Sequence, residues 1–534
     1  MKMKNIMLSA LALSFALTSC NEWLDVMPDN RAEVDTAEKV EKLLVSAYPE
    51  NAYIMLTELA SDNVDDFGEN NAYQRRIDVE AFQWADITES DNEDPKNVWG
   101  SLYGAITNAN QAIVAIKEMG ATTPELKASL GEALLCRAYN HFMLASVFCK
   151  TYNPATAKDV LGIPYMDKPE TELNPKYERG TLKDVYASIA KDLEEGLPLV
   201  NDAGYSVPKY HFNEKAAYTF ASRFYLNAGM WDECIAAASK ALGASPKELL
   251  RDYATLASLP KELDVVGPQY NSTNAKNNFL IQTGYSNLGL VFGPYNFEAR
   301  ISAGNMLMQT EIFNNAPWGG FAPSTSSYNY RNMYKLTHYI YVGTGFDKTI
   351  LPRLNYLFEY TDPVAGIGYR RTVYAALTAE EALLNRAEAY IMKGEFELAL
   401  ADMNLWTENT LNKSYCNPVL TDESIKAWAS GMEYYSDENP TPKKKLNPVL
   451  KEIEEGSDLE AYVHAILYMR RCEFYMMGMR WFDIKRYGIE ITRRKLGTTL
   501  DVLETYDRLT VNDERRALQL PQDVITAGLE PNPR

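Results

Sequence analysis

The chain has 534 residues, 46% of them hydrophobic, 23% charged and 11% aromatic, with 35 tyrosines. That composition fills a large core and excludes a disordered chain, while a net charge of −19 argues against nucleic acid or an anionic lipid surface as partner. Four histidines and six cysteines lie far apart, without zinc spacing, an HExxH pattern or a nucleophile beside a base, so no metal, cofactor or catalytic group is expected from them.

Lys2 and Lys4 precede an apolar run from Ile6 to Leu17 that is too short to cross a membrane as a helix. Leu17-Thr18-Ser19-Cys20 then reads as a bacterial lipobox. Residues 1–19 are expected to be a removed signal peptide, with Cys20 the lipidated residue. Residues 20–35 form a tether whose Trp23 and Leu24 dock on the body. Stable anchoring takes more than one acyl chain, since a single chain binds only marginally.

A helix is predicted from Thr36 to about Tyr48. The acidic runs at 61–66 and 89–94 read as solvated loops, and neither has the spacing of an EF-hand. From Val98 the residues Trp99, Leu102, Tyr103, Ile106, Ala109 and Ile113 recur at helical spacing, and a second long helix is predicted over 130–150. Thr181 to Asp184 is a capping sequence for a helix ending at Gly196.

Two distant segments repeat one another without a gap. In 220–236 and 385–401, Tyr225 aligns with Tyr390, Gly229 with Gly394, Trp231 with Phe396 and Ile235 with Leu400. Each reads as a helix, a tight glycine turn and an antiparallel helix, similar to a tetratricopeptide hairpin. Glu194-Glu195 and Glu380-Glu381 are read as solvated helix faces.

Between the repeats, residues 261–370 hold 15 charged residues and 19 aromatic ones in 110 positions. No helical period is sustained there, which predicts loops and short strands laid on a helical frame. An exposed loop is expected at 437–446. In 465–488 the apolar residues Ala465, Met469, Cys472, Met476 and Met479 keep one face of a buried helix. Within it Arg470 would pair with Glu473, and Arg480 with Asp483. Gly478 marks a close backbone approach or a break, and Gly488 is the stop.

Arg470-Arg471-x-Glu473, followed by Gly478-x-Arg480-Trp481-Phe482-Asp483-x-x-Arg486, resembles the C-terminal signature of the SusD/RagB family. Met469 and Met477 stand where that family commonly has Glu. Trp23-Leu24-Asp25-x-x-Pro28, the run from Asn97 to Ile113, Gly162-Ile163-Pro164 and the tail from Leu518 resemble it too. The resemblance implies a mainly α SusD-like fold in a single domain, 36–534. A tetratricopeptide-like hairpin scaffold would occupy about 36–260 and 371–534, and the loop-rich insertion about 261–370.

It further implies a cell-surface, outer-membrane lipoprotein that captures a nutrient and delivers it to a SusC-like TonB-dependent barrel, without catalysis. Glycans are the ligands in most such systems and peptides in some. A glycan-processing enzyme would need a carboxylate pair facing across a sugar, and a structural repeat protein would bind no small molecule. For a glycan the candidate rings are Tyr285, Phe292, Tyr295 and Trp318, which lie off any helical period. Trp99 is a fifth, although its helical spacing favours the core.

Overall fold

Thr36 accepts a hydrogen bond from the amide of Lys39 and starts α1 (Ala37–Leu44). In the computed structural model, residues 34–68, 71–171, 175–293, 295–320, 329–343, 346–497 and 502–534 are described. The signal, Cys20, Trp23 and Leu24 lie outside the described residues. The short helices α2 (Ile54–Ala60) and α3 (Arg76–Phe82) follow. Asp94 and Thr123 then cap α4 (Pro95–Glu118) and α5 (Pro124–Phe148), each with proline in its first turn, where its missing amide is harmless. Thr181 caps α6 (Leu182–Gly196) by accepting from the amide of Asp184.

The repeat forms the predicted hairpins. In α7 (Glu214–Ala228) and α8 (Trp231–Leu242) the turn is Gly229, at φ 75°. In α9 (Ala379–Lys393) and α10 (Phe396–Thr410) it is Gly394, at φ 79°. Both take the left-handed conformation that glycine enters without a Cβ clash. Helix α9 packs against α7 and α8 as well as α10, so hairpins distant in sequence adjoin. Arg223 of α7 is paired with Glu381 of α9 at 2.5 and 2.7 Å. Glu380 and Glu381 are therefore buried, correcting the solvated reading: Glu380 accepts from the amide of Arg251 at 2.7 Å and from Asn277 at 2.9 Å.

After α11 (Asp422–Ser430), the stretch expected as one helix is two. Helix α12 (Asp458–Glu473) ends before α13 (Arg480–Arg486) begins. Met476 at φ 62° and Gly478 at φ 73° turn the chain between them. A Cβ at Gly478 would lie 2.3 Å from Thr57 Oγ1 and 3.0 Å from Ile54 Cα, so this glycine is both a break and a close approach.

Arg470 and Arg480 take partners distant in sequence, not the carboxylates three residues on; Arg486 alone also pairs within its own helix. Arg470 bonds Asp483 at 3.1 Å and approaches Glu388 at 3.4 Å. Arg486 joins the same two carboxylates at 2.5 and 2.6 Å. Asp62 meets Arg480 at 2.8 Å, Lys444 at 2.9 Å and Arg471 at 3.3 Å. Glu473 instead accepts from the indole of Trp406 at 2.8 Å.

Three loop expectations change with this, since Glu93 and Asp94 of the 89–94 run are buried rather than solvated. Asp62, Asp65 and Asp66 are buried rather than solvated, as are Lys443 and Lys444 of the 437–446 segment. Asp65 pairs with Arg494 at 3.0 Å and Asp66 with Arg300 at 2.7 Å. An acidic run faces solvent only where no cation is brought to it.

Three sheets occur among the described residues. One joins β1 (Asp65–Asp66), β3 (Ile301–Ser302), β8 (Ile491–Leu496) and β9 (Val502–Leu509) in the order β3-β1-β8-β9, tying both ends of the chain together. The second has the order β2-β7-β6, from β2 (Asn278–Tyr285), β6 (Leu357–Asp362) and β7 (Ile367–Thr378). The third is the hairpin β4 (Tyr339–Gly343) and β5 (Phe346–Ile350). The described cysteines Cys136, Cys149, Cys234, Cys416 and Cys472 are unpaired thiols.

Candidate functional site

The outer end of the β2-β7-β6 sheet carries aromatic and charged side chains on one face. Tyr285 on β2 stands opposite Arg371 on β7, which stands opposite Leu357 on β6. Residues two apart on a strand share a face, so Tyr369 joins this row. Its ring centre lies 5.3 Å from that of Tyr285, nearly edge-on at 65°. The Arg371 guanidinium lies 4.1 Å from the Tyr285 ring centre, donates to its hydroxyl at 2.9 Å and pairs with Glu359. Tyr369 is 52% exposed.

Arg370 points to the opposite face. It donates to Asn287 Oδ1 at 3.1 Å, and Asn287 donates to Asp91 at 2.9 Å and Glu93 at 2.8 Å. Asp91 also pairs with Arg75 at 2.8 Å. A polar network thus braces the sheet end from behind. Burial pushes the Glu93 carboxyl upward against the opposing pull of Arg75.

Tyr295 is 49% exposed and leans on Tyr356 with ring centres 4.5 Å apart. Its loop is held by Lys348, whose buried ammonium donates to the carbonyls of Val291 and Asn296. Burial, with no carboxylate partner among the described residues, drives the Lys348 pKa down to about 7.

Two of the predicted rings do not offer a binding face. Phe292 is fully buried, and Trp318 is 4% exposed within a cluster of Trp406, Tyr468 and Tyr334, with ring centres 5.5 to 6.2 Å away. Irregular backbone rich in Asn, Gly and Ser implied exposed rings; instead that backbone folds onto α12, and its apolar side chains complete the core. Trp99 is mostly buried against Phe148 at 5.2 Å and Tyr103 at 4.9 Å. Its remaining edge lines a cleft of about 510 Å³. Tyr356, Tyr369, Arg371 and Glu359 were missed. The signal for the last three is two strand-like runs, 357–362 and 367–378, separated by Pro363 and Gly366, a hairpin pattern that Tyr356 immediately precedes.

Among the described residues no group of His, Cys, Asp and Glu is arranged to hold a metal ion. Residues 22–226 match the SusD-like family described as starch-binding, associating with the outer membrane. No curated protein matches the chain. Solved structures extend the likeness over nearly all of it. A putative sugar binding protein from Bacteroides vulgatus superposes with a TM-score of 0.64 at 17% identity, covering 94% of this chain and 99% of that one. A SusD superfamily protein from Bacteroides thetaiotaomicron gives 0.62 at 17%, covering 93% and 100%. A SusD-like carbohydrate binding protein from Bacteroides vulgatus gives 0.58 at 15%, covering 92% and 96%. The family match over residues 22–226 and the fold shared over nearly the whole length make this chain similar to SusD-like proteins, with a mainly helical SusD-like fold built on hairpins.

Proposed function

We propose that the protein captures a glycan at the cell surface and passes it to a SusC-like TonB-dependent barrel in the outer membrane, held there by lipid on Cys20. The observation that carries the glycan reading is the Tyr285–Tyr369 pair with Arg371 and Glu359 on one sheet face. Apolar sugar faces stack on such rings, while hydroxyls take hydrogen bonds from the guanidinium and carboxylate beside them. The exposed Tyr295 and the partly buried Tyr356 beside it supply a further ring pair from the same insertion. The family description and the sugar-binding descriptions of two fold relatives support this ligand class. The protein acts by binding and release, without catalysis.

The test is an array of neutral oligosaccharides and short peptides probed with the mature chain. Saturable glycan binding is expected, and binding to peptides alone overturns the ligand class. Separately, the native lipoprotein should co-purify with a TonB-dependent barrel, and Cys20→Ala should leave the membrane fraction. Purification without a barrel removes the delivery step, and retention of the Cys20→Ala variant in the outer membrane removes the anchor.

A further inference from the structure

The cleft beside Trp99 shares no lining residue with the β2-β7-β6 sheet. Its floor is α4, with Trp99, Tyr103 and Thr107, and its walls are the segments 164–170 and 175–178 and the C-terminal turn 524–529. At about 510 Å³ it is the size of a small-molecule pocket. Trp99 and Tyr103 meet at 48°, forming a corner. That corner is fixed before any ligand arrives, because Tyr103 donates to the carbonyl of Pro164 at 2.7 Å and Trp99 is wedged on Phe148. Opposite them Tyr177 donates to Glu170.

The helix itself adds an independent observation. Gly100 and Gly104 sit inside α4, where glycine weakens a helix relative to alanine. Neither has any atom within 4 Å of where a Cβ would stand, so no close packing requires them. At helical spacing they fall on the side of α4 that carries Tyr103 and Thr107. The bare backbone there widens the approach to the corner.

We infer that this cleft is a second saccharide site, taking a neutral ligand of disaccharide size; the inference rests on the glycan reading above. The partly exposed Tyr103 ring, held at its angle by the edge of Trp99, suits the apolar face of a sugar. The Thr107 hydroxyl and the carboxylates of Glu170 and Glu178 suit their hydroxyls, and those carboxylates outnumber Lys176 and so disfavour an anion. A capture protein with a short-ligand pocket apart from an extended surface holds one chain at two points, so that modest single-site affinities combine.

The test is calorimetric titration of the mature chain with maltose, cellobiose and lactose, alongside longer oligosaccharides. Thr107→Arg lays a long side chain back over Tyr103 at an exposed position, and Tyr103→Ala removes the corner. Each should weaken disaccharide binding at least tenfold, the former with an unchanged melting temperature, while Tyr369→Ala leaves it intact. Unchanged disaccharide binding in Thr107→Arg overturns the inference, as does equal loss in Tyr369→Ala. If longer oligosaccharides bind and none of the disaccharides does, this cleft alone is refuted. If no saccharide binds, the glycan reading falls with it.

Discussion

Asp62 in the frame and Arg371 on the inserted sheet are both ion-paired, yet they stand in opposite surroundings. Asp62 is buried among Arg471, Arg480 and Lys444, each beyond reach of solvent. Burial raises its pKa, but the three cations outweigh that and hold the carboxyl well below its usual range. Arg371 meets Glu359, itself 53% exposed, at a rim of half-exposed tyrosines. A buried pair fixes which elements meet and is strongly destabilising to break. An exposed pair adds little stability, and its hydrogen-bonding groups remain open to a ligand. The same chemistry therefore assembles the frame in one place and presents a surface in the other.

The contrast breaks most severely at Asp62. Asp62→Ala removes the carboxylate paired with Arg480 and leaves Lys444 and Arg471 with Glu311 alone, and is expected to destabilise the fold by about 3–5 kcal/mol, read from the midpoint of urea unfolding. Lowering pH should do the same gradually. Because the folded pKa of Asp62 is depressed, its contribution is complete above its unfolded value of about 3.8 and is lost as pH falls through the folded pKa. A fold that keeps its stability in Asp62→Ala would show that the cations find other partners.

Next in size is Gly478→Ala. Strain at φ 73° and a Cβ 2.3 Å from Thr57 Oγ1 should cost about 1–3 kcal/mol. Gly394→Ala has the strained φ of 79° but open space around it and should cost less; equal losses would mean that the close approach at Gly478 adds nothing.

Lys348 sharpens the comparison from the other side, as a buried cation with no carboxylate partner among the described residues. Its folded pKa of about 7 lies below the ordinary 10.5, so the unfolded chain holds a proton that the folded one releases. Its contribution should therefore rise between pH 7 and about 10, by up to about 1.4 kcal/mol per pH unit. Lys348→Met should flatten that slope in unfolding measurements relative to the parent chain. Identical slopes would place the titration elsewhere.

The smallest stability effect is expected on the sheet surface. Tyr369→Ala should shift unfolding by under about 0.5 kcal/mol. Losing one stacked ring worth about 1 kcal/mol should nonetheless reduce oligosaccharide affinity about fivefold. A large loss of stability would make Tyr369 part of the frame, contrary to its exposure.

Features set by neighbouring residues were legible in the sequence. Thr36 and Thr181 cap helices, and Gly229 and Gly394 turn hairpins, because each acts within a few positions of itself. The partners of the signature arginines were not, since Asp62 lies 418 residues from Arg480 and no local spacing encodes such a pair. The insertion was legible as non-helical but not as inside or outside. Phe292 and Tyr295 are three residues apart in one loop, one ring fully buried and the other 49% exposed, and only the tertiary course of that loop separates them. Strand alternation at Tyr369 and Arg371 was the signal that would have pointed to the exposed row.

Arg493 on β8 lies between Phe82 and Trp84, 4.0 Å from each ring centre, and donates to the carbonyls of Leu59, Ala60, Ser61 and Phe82. Helix α2 thus gives the carbonyl of Leu59 to a guanidinium 434 positions downstream, where a helix end ordinarily finds a partner nearby, while the carbonyl of Ala60 is shared between Arg493 and the indole of Trp84. During synthesis the Leu59 carbonyl waits for nearly the whole chain, and packing of the amino-terminal region concludes only when the last strands arrive. A product truncated before β8 would expose the apolar slot between Phe82 and Trp84 and offer proteases an unfinished molecule.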